Sequence, residues 1–185
     1  DNLYAVGECA SMYHGANRLG GNSLLAAIYS GHVAANAINT LAETKDCPNF
    51  ETYISEQEQV LEKRLQSKSR FSAVHVRHEI AKLLNDCLGI TRTEEKLLEG
   101  IKSVDYYISV SEKLIYDIDV SPYIGYSLQP MLLLARAILT SALSRKETRG
   151  SHIREDYPQR SDEFALCSVC DYKNGEHHIS YIKED

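Results

Sequence analysis

The residues whose types could do chemistry are concentrated in one short loop near the start of the chain. From position 14 the sequence reads His-Gly-Ala-Asn-Arg-Leu-Gly-Gly-Asn-Ser-Leu-Leu, and Glu8 stands shortly before it. A carboxylate such as that of Glu8 can accept hydrogen bonds from sugar or ribityl hydroxyls. Arg18 carries a planar, permanently charged group that suits a carboxylate ligand. This combination is typical of a site for a small anionic ligand.

The loop leads into a predicted helix that supports the same interpretation. Asn22 or Ser23 is a good N-cap, and the helix is expected to continue to about Ala37. Its first turn presents free backbone amides and about half a positive charge toward the loop. The residues alone leave two interpretations open: anion binding, or a tight turn that carries a solvated arginine.

The rest of the chain must position this loop, and most of it is predicted to be helical. Leu3–Val6 is a short apolar run that predicts a strand before the loop. After the loop, apolar residues recur every three to four positions in three segments. These residues are Phe50, Tyr53, Ile54, Val60, Leu61 and Leu65; Phe71, Val74, His78, Ala81, Leu84 and Leu88; and Leu97, Ile101, Val104, Ile108 and Ile115. Thr91 and Thr93 are the predicted caps of the third segment.

A fourth helix is predicted from about 127 to 146, and it is apolar on so many faces that the other helices must enclose it. Residues 166–170 and 178–182 are predicted to pair as strands across Lys173-Asn174-Gly175. The predicted fold is therefore mainly α, an antiparallel bundle of three to four helices between a strand–loop–helix and a small β-hairpin. The predicted domains are 1–45, 48–149 and 150–185.

Composition excludes some functions. The net charge is −6 and no long basic run occurs, which argues against nucleic acid as a partner. No apolar run reaches the ~18 residues that cross a bilayer, so no transmembrane segment is predicted. The five cysteines are odd in number and irregularly spaced, which fits a reducing compartment better than a disulfide framework. They are Cys9, Cys47, Cys87, Cys167 and Cys170.

Two segments carry a resemblance to a known family. Leu3–Glu8 together with His14–Leu25 resembles the second FAD-contacting segment of the succinate dehydrogenase/fumarate reductase flavoproteins. Residues 144–162, which include Arg-Gly-Ser-His and then Glu-Asp-Tyr-Pro, are similar to the family's signature at the end of its helical domain. The two segments bracket the chain, so the resemblance covers essentially all of it. It implies that 1–45 is a remnant of a Rossmann-like FAD domain and that 48–149 is the helical domain.

The resemblance also implies residue roles. Glu8 would contact the sugar or ribityl part of FAD, and the backbone of Ser23 and Leu24 would contact the flavin ring. The substrate would be a C4 dicarboxylate that is clamped by Arg18, with His14 and Asn17 shaping the loop. The intact protein would transfer hydride between flavin and succinate or fumarate. The family's catalytic residues and phosphate loop lie outside these 185 residues, so the chain alone is expected neither to hold FAD nor to turn over.

The implied electron partner is an iron–sulfur subunit, and the implied location is the cytoplasm, at the membrane periphery in a respiratory complex. The second enzyme hypothesis is L-aspartate oxidase, whose relatives tend to have Ala-Ser where this chain has Gly20-Gly21. A third hypothesis is a catalytically inert helical interaction module.

Two weaker patterns can be explained either by a function or by ordinary structural residues. Arg149, His152 and Arg154 crowd a charged loop, and the resemblance favours an interdomain latch of charge-assisted hydrogen bonds over a solvated surface. Cys167 and Cys170, with His177 and His178, could suit zinc. Two strand residues three apart point to opposite faces, so ordinary strand residues are the preferred interpretation and no metal site is predicted.

Overall fold

The structure is a computed structural model that describes residues 3–11, 13–41, 49–66, 72–111, 113–114 and 122–183. The chain forms two compact units, Asp1–Asn49 and Phe50–Asp185. The first unit holds the glycine-containing loop, and the second holds most of the helices and the hairpin. Phe71 and Ile115 of the predicted apolar stripes, and Cys47, lie outside the described residues.

The first unit consists of an extended start, a 3-10 turn at Gly7–Ala10, the loop and helix α1 (Asn22–Asn39). Leu3–Val6 forms no strand, so the prediction of a strand there was wrong for the described residues. A strand needs a neighbouring strand to take up its backbone hydrogen bonds, and the described residues supply none for this segment. The N-cap of α1 is Gly21, in the left-handed conformation with φ 81°, so the prediction of Asn22 or Ser23 as cap was wrong. A glycine adopts this φ at little cost, which lets the chain turn sharply into the helix.

The second unit is built on four helices: α2 (Glu51–Leu65), α3 (Ala73–Leu88), α4 (Glu94–Ser111) and α5 (Pro122–Ser144). Helices α3, α4 and α5 contact one another and enclose one apolar core. Its most buried members are Val76, Ile80, Leu97, Val104, Leu114, Leu128, Leu132 and Leu139. The five helices and the terminal hairpin of the described residues confirm the predicted mainly α fold.

Helix α5 begins five residues earlier than the predicted Ser127 and ends at Ser144. Pro122 explains the early start, because proline at a first helical position needs no hydrogen-bond donor and already has a helical φ. Within the described residues, Tyr123–Ser144 is the one stretch long and apolar enough to cross a membrane by length and composition. One such helix is weak support for a membrane span, since Leu128, Leu132 and Leu139 of this helix form part of the bundle core.

The predicted hairpin is confirmed, with strands longer than expected. Cys167–Lys173 pairs antiparallel with Glu176–Ile182. In chain order these are strands β3 and β4, because a short parallel pair of strands comes before them. Asn174 and Gly175 both have positive φ, 54° and 84°, which is the requirement of a type I′ turn and the reason for the Asn-Gly signal.

The short parallel pair joins two distant parts of the second unit. Thr91–Arg92 (β1) lies beside Ile153–Arg154 (β2), with Thr91 opposite Ile153. The Glu155 amide donates to the carbonyl of Arg92 at 3.0 Å and continues the ladder. This pairing was not predicted, because a two-residue strand has no periodicity. It places the charged turn that follows α5 beside the beginning of α4.

Candidate functional site

The loop of the first unit is tied to α1 by a contact that the sequence did not predict. The Gly7 amide donates to the Ser30 hydroxyl oxygen at 2.8 Å, and Ser30 is buried. A side chain at Gly7 would lie 3.4 Å from the Ala27 Cα, and Gly7 itself has φ 67°. The close approach and the positive φ both favour glycine here. Ser30 and Gly7 therefore position Glu8, the next residue along the chain.

His14 and Glu8 face each other across the loop. His14 Nε2 lies 3.5 Å from Glu8 Oε2, and the two side chains are 13% and 81% exposed. The His14 Nε2 atom is itself enclosed and has no hydrogen-bond partner among the described residues. The approach is therefore an electrostatic contact rather than a formed hydrogen bond. The structure brings these two predicted site residues together.

The other predicted site residues lie around the start of α1. Asn17 and Arg18 are exposed in the loop, Ser23 is half-buried in the first helical turn, and the Leu24 side chain is 74% exposed. No side chain makes a cap hydrogen bond at Gly21 within this described segment. The Asn22 amide donates to the Leu19 carbonyl at 3.2 Å. The next amides of the first turn lie at a positive helix end where no side chain of the described residues caps them.

This geometry fits the cofactor that the resemblance implies. A flavin needs backbone donors at its polar edge and room for a flat ring. A methyl group added at Gly20 or Gly21 would meet nothing within 4 Å, so the entrance to α1 is open. The enclosed, unpartnered Nε2 of His14 adds one polar atom that a bound group could satisfy. The donors present can hold the ring edge of FAD, while the described residues include no cradle for its pyrophosphate.

The second predicted segment, residues 144–162, is a dense ionic network inside the second unit. Its centre is Glu147, which is 0% exposed and accepts from Arg145 and Arg149, each at 2.7 Å. The Ser161 amide also donates to Glu147, at 2.9 Å. Burial raises the pKa of Glu147, but the donors from Arg149, Ser161 and Arg145 outweigh that and hold it at about 2.

Arg154 is the second centre, also 0% exposed, and it closes the end of α5. Its Nη1 donates to the carbonyls of Ala142, Leu143 and Arg145 at 2.9, 3.2 and 3.3 Å. The last carbonyls of a helix lack partners and carry partial negative charge, so a buried guanidinium stabilises them. Asp156 neutralises Arg154 through two 2.8 Å hydrogen bonds, and the Arg154 guanidinium lowers the pKa of Asp156 to about 2.

The predicted latch residues bond to their own unit. Arg149 and His152 form an antiparallel bridge around Gly150, and His152 Nε2 is 3.0 Å from the carbonyl oxygen of Arg145. Burial lowers the pKa of His152, and the positive charges of Arg92, Arg154 and Arg145 lower it further, while the hydrogen bond to Arg145 opposes this. These bonds anchor the turn to α5. A contact from Arg149, His152 or Arg154 to another domain stays a prediction.

Among the described residues, no group of three or more His, Cys, Asp or Glu side chains could hold a metal ion. His177 instead contacts Arg136, whose Nη1 is 3.0 Å from His177 Nδ1. Arg136 also pairs with Asp105 at 2.6 Å. His177 therefore links the hairpin to helices α5 and α4.

Comparison with protein families agrees with both segments. Residues 77–184 match the model described as fumarate reductase flavoprotein C-term, and residues 1–24 match the model described as FAD binding domain. The first match covers more than half of the chain. The chain therefore belongs to the fumarate reductase/succinate dehydrogenase flavoprotein family, as a C-terminal segment.

Individual relatives support the same assignment. The succinate dehydrogenase flavoprotein subunit of Bacillus subtilis is 30% identical over 177 residues, which are 87% of this chain and 30% of that protein. The L-aspartate oxidase of Pyrococcus furiosus is 31% identical over 173 residues, covering 93% of this chain and 30% of that protein. The chain thus spans about 30% of the length of these relatives.

The fold is shared with solved flavoproteins. Sdh1 of Mycobacterium smegmatis superposes with a TM-score of 0.84 at 23% identity, covering 99% of this chain and 32% of that one. At this identity the match shows the fold alone. The predicted family membership and fold are both confirmed.

Proposed function

We propose that the chain is the C-terminal part of an FAD-dependent succinate/fumarate oxidoreductase, and that its loop at 14–25 forms one wall of the active site. The observation that supports this most strongly is the open helix start beside Arg18, in a segment that matches an FAD-binding family. In this proposal residues 1–45 belong to the FAD domain, 48–149 form the helical domain, and 150–185 complete it.

In the proposed site each residue has a defined physical role. Arg18 binds a carboxylate of the C4 dicarboxylate through its two-pronged guanidinium, and Asn17 and His14 hold the loop around the substrate. The amides of Ser23 and Leu24 donate to the cofactor ring edge, and the helix dipole stabilises negative charge that develops there. The flavin supplies the hydride acceptor. Glu8, whose side chain lies exposed near His14, accepts hydrogen bonds from cofactor hydroxyls.

The catalytic proton donor is assigned to a part of the intact protein outside this chain, so the 185-residue chain by itself is proposed to be inactive. An iron–sulfur subunit is the proposed electron partner, and the proposed location is the cytoplasmic side of a membrane as a peripheral subunit. These proposals draw support from relatives that are named as succinate dehydrogenase and fumarate reductase flavoprotein subunits.

The test is to express the full-length protein and assay it with succinate, fumarate and aspartate. We expect flavin absorption, and turnover of succinate or fumarate with an artificial electron carrier. Turnover of aspartate alone would assign the protein to the L-aspartate oxidases, which the match to the Pyrococcus furiosus enzyme makes the second candidate. A colourless, inactive full-length protein would contradict both.

The 185-residue chain serves as the companion sample in these assays. It should show no flavin bands after purification and no turnover of succinate, fumarate or aspartate. Flavin bound to this chain alone would overturn the proposal that the missing parts are needed to hold FAD.

A further inference from the structure

The second unit contains a pocket that the proposed function does not use. Its volume is about 310 Å³, which is in the range of small-ligand sites. It lies where the end of α3, strand β1, the last turns of α5 and strand β3 meet. Five of its lining residues are polar and none is acidic; the polar residues are Arg92, Ser141, Arg145, His152 and Ser168.

Arg92 is the unusual member of this lining. Its Nη1 donates to the carbonyl of Ser151 at 3.1 Å, while its Nε is enclosed without a hydrogen-bond partner. Within the part of the chain that the structure describes, no carboxylate forms an ion pair with Arg92, whereas Arg145 and Arg154 each pair with one. A partly buried positive charge without a counter-charge is costly, and a bound anion would offset that cost.

The other polar residues are placed to assist at this charge. Arg145 Nη2 donates to the Ser168 hydroxyl at 2.8 Å, so the hydrogen of Ser168 is left to donate elsewhere. His152 also lines the pocket and is fixed by its contact with the Arg145 carbonyl. The positive charge of Arg92 and the hydroxyl hydrogen of Ser168 therefore remain for a ligand, and no acidic side chain lines the pocket to oppose an anion.

The remaining walls select among anions. Leu88, Ile138 and Ala142 line the same pocket. Apolar walls gain from contact with methylene groups, which inorganic phosphate and sulfate lack. The volume also exceeds what a bare inorganic ion fills. The lining thus suits a molecule with a short hydrocarbon part and a carboxylate end.

We propose that this pocket is a second binding site, for a small organic carboxylate that pairs with Arg92 and packs against Leu88 and Ile138. It is carried entirely by the second unit and shares no residue with the loop at 14–25. The ligand would join α3, α5 and the hairpin, so its binding should also stabilise the second unit by mass action.

The test measures succinate binding by calorimetry on the full-length protein that carries Arg18→Ala, so that the proposed active site does not contribute. We expect saturable binding with a Kd of about 1 mM, as one open ionic site provides. Arg92→Gln in this background should weaken it about tenfold or more, because a charge-assisted hydrogen bond is lost. Arg77→Gln removes an exposed arginine from the first half of α3, away from the pocket, and should leave the affinity unchanged.

A second variant guards against misfolding of Arg92→Gln. Ser141→Leu fills the pocket with an apolar side chain, keeps every ionic contact described above, and should abolish succinate binding. Absence of saturable binding, or binding that Ser141→Leu or Arg92→Gln leaves unchanged, would overturn the proposal. Binding of inorganic phosphate but not succinate would also overturn it, because the apolar walls would then not favour an organic carboxylate over an inorganic ion. Since Arg18 is absent throughout, these results are independent of the proposed enzyme activity.

Discussion

The starts of helices α4 and α1 differ in whether side chains accept hydrogen bonds from their first backbone amides. At α4 the first amides are taken up by the chain itself: the Glu94 amide donates to Asp156 at 2.8 Å, and the Lys96 amide donates to the Thr93 hydroxyl at 3.3 Å. At α1 the cap is Gly21, which has no side chain to offer. A helix start that is closed by its own oxygens contributes stability, whereas an open one retains its donors for a ligand.

The arginines near these two starts differ in the same way. Arg154 is fully buried and saturated by three carbonyls and Asp156. Arg18 is exposed, and no ion-pair partner for it is found in the described parts of the chain. The two family-like segments therefore differ: the turn after α5 holds the second unit together, whereas the loop before α1 leaves the charge of Arg18 without an ion-pair partner among the described residues.

The largest expected effect tests Arg18, beside the uncapped start of α1. Arg18→Ala in the full-length protein should lower kcat/KM for succinate about a thousandfold, equivalent to about 4 kcal/mol, because a bidentate charged contact to substrate is lost. FAD content and Tm should not change. The matched control is Arg160→Ala, which removes another exposed arginine and should leave kcat/KM unchanged. A fall in Tm without a loss of activity would make Arg18 structural.

The next largest effect tests the ionic network in the turn after α5. Glu147→Gln should lower the free energy of unfolding by about 3 kcal/mol, because it leaves two largely buried guanidinium groups without their carboxylate. Urea denaturation measures this change, and the kcat/KM of the folded protein should stay the same. Glu163→Gln, at an exposed position directly after this segment, should change the stability by less than about 0.5 kcal/mol. Equal losses in the two variants would contradict the network described here.

The acid dependence of stability follows from the same carboxylate. The pKa of Glu147 is about 2 in the folded chain and 4.5 as an ordinary value, so the unfolded chain binds a proton that the native chain does not. The stabilisation is present above pH 4.5 and is lost as pH falls toward 2, up to on the order of 3 kcal/mol. His152, with its lowered pKa, adds a loss of the same sign below its ordinary 6.5. Urea midpoints against pH should show a smaller drop below pH 4.5 in Glu147→Gln.

The smallest effect compares the two helix starts directly. Thr93→Ala should cost about 1 kcal/mol of stability, because it removes an N-cap acceptor. Ser23→Ala should change stability by less than about 0.5 kcal/mol, since no side chain caps α1. Thermal unfolding of the two variants measures the difference. Equal costs would show that Ser23 does contribute a cap.

Much of the helical fold was predictable because each helix has a local signal. The apolar stripes of α3 and α4 matched helices Ala73–Leu88 and Glu94–Ser111, and Thr93 was correctly named as a cap. The start of α5 was placed too late, because Gly125 and the aromatic residues beside it weaken the pattern there. The strand at Leu3–Val6 was predicted from its apolar residues, but its pairing depends on neighbours that no local pattern supplies.

The residues of the candidate site were also predictable only in part. Residue types along the chain were enough to single out Glu8, His14 and Arg18, since a conspicuous loop carries all of them. Ser30 was missed, because a serine within an alanine-rich helix gives no signal of a bond to Gly7. Arg92 was missed as well, since its pocket is formed by elements far apart in the sequence.

The sequence by itself determined the helices, the hairpin turn and the family to which the chain belongs, because periodicity, Asn-Gly and two long motifs are local. Only the tertiary structure decided what the two charged segments do. Burial and partners set that outcome: the 0% exposure of Glu147 and Arg154 commits them to the interior, and the exposure of Arg18 leaves it available. The sequence shows only that an arginine carries a positive charge. Its role depends on whether the folded chain places a negatively charged partner beside it.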